Sequence, residues 1–124
     1  MKRFNRADRV RSQILRDVQT LLEQELAAKI KALITFTDVE ITSDLRYATI
    51  FYSVLGDEEQ KRRAGGYLTG IQKRVQSELG NLLRLKHTPE IKFEFDPSIE
   101  RGMRIEQLLN EINREKKQNG TDHS

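Results

Sequence analysis

Residues 77–102, SELGNLLRLKHTPEIKFEFDPSIERG, constrain the fold more tightly than any other stretch. The apolar spacing changes inside it from helical to strand-like. Leu79 and Leu82 continue a stripe begun by Ile71 and Val75, opposite a polar stripe of Lys73, Ser77, Asn81 and Arg84. Thr88-Pro89 then stops the helix, because a residue before proline is pushed out of the helical region. Ile91, Phe93 and Phe95 alternate with Lys92, Glu94 and Asp96, the pattern of a strand with one wet face. Asp96-Pro97 starts a turn. Arg84, Lys86 and His87 crowd the point where helix gives way to strand. Positive charge at the rim of a small sheet suits an anion, and a nucleic-acid backbone better than a small substrate.

The other strands of that sheet stand earlier in the chain. Residues 33–42 and 46–55 are rich in Ile, Val, Thr, Phe and Tyr, as strands are. Ala48, Ile50, Tyr52 and Val54 share one face. The first strand changes phase near Asp38, which predicts a bulge. Ser43-Asp44-Leu45 between them is short and turn-like, so the pair reads as a hairpin. Residues 6–27 predict a long amphipathic helix with Val10, Ile14, Val18, Leu21, Leu22 and Leu26 on one arc. Arg6, Arg9, Gln13 and Arg16 occupy the opposite arc. Arg11 and Glu25 project within the apolar arc, where each can snorkel or pair across an interface.

After the hairpin, Asp57 can cap a helix, with Gln60 three residues on completing a capping box. Residues 58–85 read as helical, but Gly65, Gly66 and Gly70 interrupt them, each at a cost of about 1 kcal/mol. Three glycines so close predict a kink or break, and two helices. Met103, Ile105, Leu108, Leu109 and Ile112 predict a short final helix, delayed by Gly102. From about Glu115 the chain turns polar and aperiodic. The expected architecture is α+β in the order α-β-β-α-kink-α-β-α, with helices on one face of a three-stranded sheet. Residues 1–114 form one domain in this reading, and 115–124 a disordered polar tail.

A chain of 124 residues suits one domain with a self-sufficient core. The absence of cysteine excludes disulfides and thiolate metal sites. No apolar run approaches membrane-spanning length, and the basic N-terminus has no apolar stretch behind it. A cytoplasmic monomer is the simplest expectation, with no membrane partner.

Catalytic chemistry finds little to work with. Asp57-Glu58-Glu59 sit at a helix start, where acids suit the dipole. Glu94 and Asp96 lie on a strand's wet face. His87 and His123 are far apart, no HxxH or HExxH spacing is present, and neither glycine phosphate-loop pattern occurs. No metal, cofactor or enzymatic activity is expected. The basic residues carry the stronger signal. The net charge is only +3, yet Lys2, Arg3, Arg6, Arg9, Arg11 and Arg16 face Asp8 alone among the first sixteen residues. By itself such a stripe suits a solvated helix face as well as a binding surface. A second cluster, Lys73, Arg74, Arg84 and Lys86, turns the balance towards phosphate binding, which positions a nucleic acid without reading its sequence. Phe4 and Tyr67 are the only rings predicted free to stack, so structured RNA is favoured over single-stranded bases.

The strand-helix-helix-strand arrangement resembles a KH-type RNA-binding module, and the preceding helix and strand resemble its type II form. The chain is more specifically similar to the ribosome-binding factor A family. Four segments carry that likeness: Arg6-Ala7-Asp8-Arg9-Val10 leading to Ile14; Thr37-Asp38-Val39-Glu40-Ile41-Thr42-Ser43-Asp44-Leu45; Ser77-Glu78-Leu79-Gly80 through Leu83-Arg84-Leu85-Lys86; and Pro89 through Asp96 with Ser98-Ile99-Glu100-Arg101-Gly102. It spans roughly Arg6 to Leu109. The family's Ala-x-Gly kink falls on Ile71-Gln72-Lys73 here, with Gly70 just before it.

The resemblance implies a non-enzymatic factor that binds the free 30S subunit, largely through 16S rRNA. It implies assistance with late maturation, including 5′-end processing, support of growth in the cold, and release aided in some bacteria by an assembly GTPase. The RNA-contacting residues expected are Arg3, Arg6, Arg9, Arg16, Gln72, Lys73, Arg74, Ser77, Arg84 and Lys86. The rival readings are a general structured-RNA-binding protein and a protein–protein adaptor that docks through an exposed apolar helix face.

Overall fold

Helix α1, Arg6–Ile30, starts where Asn5 and Asp8 cap it reciprocally. The Asn5 side chain accepts from the Asp8 amide at 2.9 Å, and the Asp8 carboxylate accepts from the Asn5 amide at 3.2 Å. Val10, Ile14, Val18, Leu22, Leu26 and Ile30 are buried in steps of four, so one ridge of the helix enters the core. The helix runs to Ile30, three residues beyond its predicted end, and Lys31 caps it in a left-handed conformation. The computed structural model describes the backbone of residues 5–121 and the side chains of 5–98 and 101–115.

Strands β1 (Leu33–Ile41) and β2 (Tyr47–Leu55) form the expected antiparallel hairpin. The register shifts between Phe36 and Asp38, where the change of phase predicts a bulge. Thr37, the extra residue, donates its hydroxyl to Asp96 at 2.7 Å and so ties β1 to the turn beyond β3. Strand β3 (Glu90–Phe95) joins the other edge of β2 in parallel, from Tyr47↔Glu90 to Tyr52↔Phe95. A parallel neighbour requires a long crossover, and helix α2 (Glu58–Leu83) supplies it. Asp57 and Gln60 form the predicted capping box at its start.

Helices α1 and α2 cover one face of the β1-β2-β3 sheet. Ala48, Ile50, Tyr52 and Val54 point into this layer, with Ile91 beside them. Each fully buried Ile, Leu or Val contributes about 1.5–3 kcal/mol, which is why the apolar periods dominate the topology. The fold class is the α+β arrangement expected.

Three details differ from expectation. The glycines do not divide α2 into two helices; residues 58–83 form one helical element. Gly66 and Gly70 face open space and no glycine among the described residues has positive φ, while Ala64, Leu68 and Val75 carry the buried stripe straight through. Burying Leu68 and Val75, at about 1.5–3 kcal/mol each, offsets glycines that cost about 1 kcal/mol each. At the end of the same helix Leu83 is buried and Leu82 is 46% exposed, because the steps of four from Val75 and Leu79 lead to residue 83. Finally, helix α3 spans Ser98–Thr121, starting before Met103 and including residues 115–121 of the predicted tail. It touches β2 lightly, and Ile105, Leu108, Leu109 and Ile112 remain exposed.

Candidate nucleic-acid interface

The predicted contact residues separate into groups once the helices are packed. On α2 the flank towards β3 carries Gln72, Lys73, Gln76 and Ser77. With Thr88 and Glu90 they line a cavity of about 490 Å³. Gln76 fixes the wall of this groove, accepting the Ile91 amide of β3 at 3.1 Å. Gly80 permits the approach of the α2–β3 connection: an added Cβ would lie 2.4 Å from the Thr88 hydroxyl oxygen. Gln72, Lys73 and Ser77 are thus brought together. Lys73 is exposed and makes no ion pair among the described residues.

Thr88 also borders a second cavity, at the end of the domain where α1 begins. Arg6 and Lys86 line it, so the structure unites two residues eighty positions apart in the chain. Arg84, exposed, is the left-handed C-cap of α2 immediately before this connection. Gln13 of α1 donates to the Leu82 carbonyl at 3.3 Å, holding the end of α2 against α1.

Arg74 occupies the opposite flank of α2, facing α1. Its guanidinium bonds Glu25 of α1 and also Glu78, at 3.2 Å. Tyr67 donates its hydroxyl to the same Glu25 carboxylate. The Tyr67 hydrogen bond, ahead of Arg74, holds the Glu25 carboxyl below the usual glutamate range. Glu78, then Glu25, raises the Arg74 guanidinium further above its already high value. Glu25, one of the two charged residues that intrude on the apolar arc of α1, therefore pairs across the helix interface. The other, Arg11, meets Asp38 of the bulge at 3.4 Å. Arg74 joins two helices, with Nη1 on Glu78 and Nη2 on Glu25.

Arg9 and Arg16 are exposed on α1 and line neither cavity. Arg3, Phe4 and His123 lie outside the described residues. Arg46 and His87 also line the second cavity. Nothing in the linear pattern singles out Arg46, which reads as a strand start, and His87 draws attention only through its basic neighbours. A third cavity, about 440 Å³, lies between α1 and the outer edge of β1 and gathers none of the predicted cations. Among the described residues, no group of three or more His, Asp or Glu could hold a metal ion. No described helix is long and apolar enough to cross a membrane.

The family model described as ribosome-binding factor A matches residues 6–109. The chain belongs to that family. A ribosome-binding factor A from Caldanaerobacter subterraneus subsp. tengcongensis is 36% identical over 119 residues, covering 95% of each chain. The solution structure of a putative ribosome binding factor A from Thermotoga maritima superimposes with a TM-score of 0.54 at 28% identity. It covers 74% of this chain and 91% of its own. The crystal structure of ribosome-binding factor A from Thermus thermophilus gives a TM-score of 0.61, covering 73% and 96%. At 17% identity it shows the shared fold alone. The match begins at Arg6, the first residue of α1, and runs to Leu109 within α3. It thus includes both cavities that gather the basic residues of this ribosome-binding factor A family member.

Proposed function

We propose that the protein binds the free small ribosomal subunit through 16S rRNA and assists its late maturation, including 5′-end processing, and supports growth in the cold. Family membership supports the ribosomal target. The observation that carries the contact surface is the continuity of the two cavities at Thr88, with Lys73 on one side and Arg6 and Lys86 on the other. Lys73, Arg6 and Lys86 make no ion pair among the described residues, so their charge is available to phosphates. Gln72 and Ser77 add polar contacts along the groove, and Arg84 adds charge at the α2 terminus. Arg3, Arg9 and Arg16 extend the field, while Arg74 contributes charge with Nη1 and Nη2 each on a carboxylate.

The proposed action is conformational and makes or breaks no covalent bond. A surface that binds one rRNA arrangement better than another shifts the population towards it by the difference in affinity. An assembly GTPase would act at release, when the matured arrangement no longer matches the surface. The protein works as a cytoplasmic monomer without a cofactor.

Co-sedimentation with purified small subunits tests this reading. Replacing Lys73 and Arg84 by alanine should weaken binding and lower its salt dependence by about one phosphate contact each. Unchanged sedimentation of that variant at several salt concentrations would refute the placement of the contact surface. The exposed stripe Ile105, Leu108, Leu109 and Ile112 favours one second reading, a protein adaptor. Subunit binding that resists salt and competitor RNA but is lost on Leu108→Ser would support it.

A further inference from the structure

The second cavity, about 570 Å³, collects cations from three separate segments. Arg6 comes from the first turn of α1, Arg46 from the β1–β2 turn, and Lys86 and His87 from the α2–β3 connection. Asp44 is the one carboxylate in the lining. Its Oδ1 accepts the Thr42 hydroxyl at 2.6 Å and the Arg46 amide at 3.1 Å. Its Oδ2 makes an exposed ion pair with Arg46 Nε at 3.9 Å, too long for a hydrogen bond. Asp44 therefore shapes the turn and leaves the Arg46 guanidinium free to donate elsewhere.

The backbone beneath these cations is anchored. The Arg46 carbonyl accepts the Glu90 amide at 2.8 Å, joining the hairpin turn to the start of β3. Leu45 and Leu85 are partly buried against the core and form the apolar floor of the cavity. Leu45 and Arg84 are two of the three non-glycine residues with positive φ among those described, at 62° and 53°. Each stands within two residues of a lining cation. A left-handed non-glycine residue is strained, and such residues concentrate where a functional surface must be positioned. Glycine would satisfy both turns at lower cost.

We propose that this cavity is a seat for a backbone phosphate of RNA, distinct from the α2–β3 groove and in line with it. Three permanent cations and a histidine, on anchored segments opposite a single engaged carboxylate, call for an anion. Arg6 and Arg46 offer planar forks suited to phosphate oxygens, Lys86 a point charge, and His87 a ring N–H donor. The shared border at Thr88 lets one RNA strand run from the groove at Lys73 into the seat. This inference rests on the RNA-binding reading and adds Arg46 and His87 to it.

The test uses the full chain, a mixed-sequence RNA duplex of about twelve base pairs, inorganic phosphate, and isolated small subunits. We expect Arg46→Gln and His87→Gln each to weaken duplex and subunit binding, Arg46→Gln by about tenfold. Arg46→Gln should reduce the slope of log affinity against log salt by about 0.9. Arg62→Gln, the same charge change at the far end of α2, should leave both unchanged. In the wild-type protein, duplex RNA should move the amide resonances of Arg46, Lys86 and His87 to saturation. Inorganic phosphate should not saturate them at the same concentrations.

If Lys73→Gln weakens binding and Arg46→Gln does not, the seat is refuted and the RNA reading stands. Saturation by inorganic phosphate at millimolar levels would make this a site for free phosphate and refute the backbone assignment. If subunits bind but RNA moves no resonance, both the RNA reading and the seat fall. Because the last readouts need no variant, a misfolded mutant cannot conceal the outcome.

Discussion

Four glycines in one helix should respond to alanine in opposite directions, and the difference locates the pressure point of the site. In a helix interior, glycine to alanine ordinarily stabilises by about 0.5–1 kcal/mol. Gly66 and Gly70 meet nothing within 4 Å of an added Cβ, so they should follow that rule. At Gly80 the added Cβ would lie 2.4 Å from Thr88 Oγ1, 3.2 Å from its Cγ2 and 3.3 Å from its Cβ. The obstacle is a short branched side chain, and such overpacking costs about 1–3 kcal/mol. Set against the helical gain, Gly80→Ala should destabilise by roughly 0–2.5 kcal/mol, while Gly66→Ala stabilises by about 0.5–1 kcal/mol. Gly65, with the Tyr52 hydroxyl 3.1 Å from its added Cβ, should fall between them. Urea denaturation monitored by circular dichroism would measure all four, provided that the m-values agree. Thr88→Ala removes the two nearest atoms, so the double variant Gly80→Ala/Thr88→Ala should recover the helical gain. A Gly80→Ala protein as stable as Gly66→Ala, or one that Thr88→Ala fails to rescue, would refute the close approach of the α2–β3 connection to α2.

Two further expectations concern the charges that join α1 to α2. Arg74→Ala should lower stability by about 1 kcal/mol, since it removes two partly exposed pairs worth roughly 0.2–1 kcal/mol each; full stability of that variant would remove the bridge. The carboxyls of Glu25, bonded by Tyr67 and Arg74, and of Asp96, bonded by Thr37 and Ser98, both lie below their ordinary ranges. A carboxyl lowered by folding stabilises above its unfolded value and loses that contribution as pH falls through the folded one. Stability should therefore decline on the acid side of the carboxylate range. In Glu25→Gln that decline should be shallower and the neutral-pH stability lower, as read from urea midpoints between about pH 3 and 7.

Much of the fold follows from local patterns. The bulge at Asp38, both strands of the hairpin and the capping box at Asp57 depend on neighbours in sequence, whereas α2 ends at Leu83, with Arg84 left-handed, before the stop expected at Thr88-Pro89. Arg11 and Glu25 were marked by position alone: a charge on an apolar arc needs a partner, and Asp38 and Arg74 supply it. The continuity of α2 was less legible, because burial of Leu68 and Val75 outweighs three local glycine penalties. In the site, spacing along α2 reveals Lys73 and Ser77 as neighbours. It cannot distinguish Lys73 from Arg74 without the position of α1, which places one in the groove and the other on Glu25. Arg46 and His87 are recognisable only after a helix start and two connections converge, since no local period connects residues 6, 46 and 87.

The parallel pairing of β2 with β3 dictates when the site can exist. The hairpin needs only a short turn to close, whereas β3 joins after the whole of α2 has intervened. Closing that longer loop costs more chain entropy, and non-local pairings are slow to form. The groove and the cavity both border on the connection into β3, so neither is complete until this final strand has docked. A nascent or partly folded chain therefore carries the basic residues without the surface they form. The late strand couples the two surfaces to the core: the groove and the cavity take their final shape only together with the packed sheet.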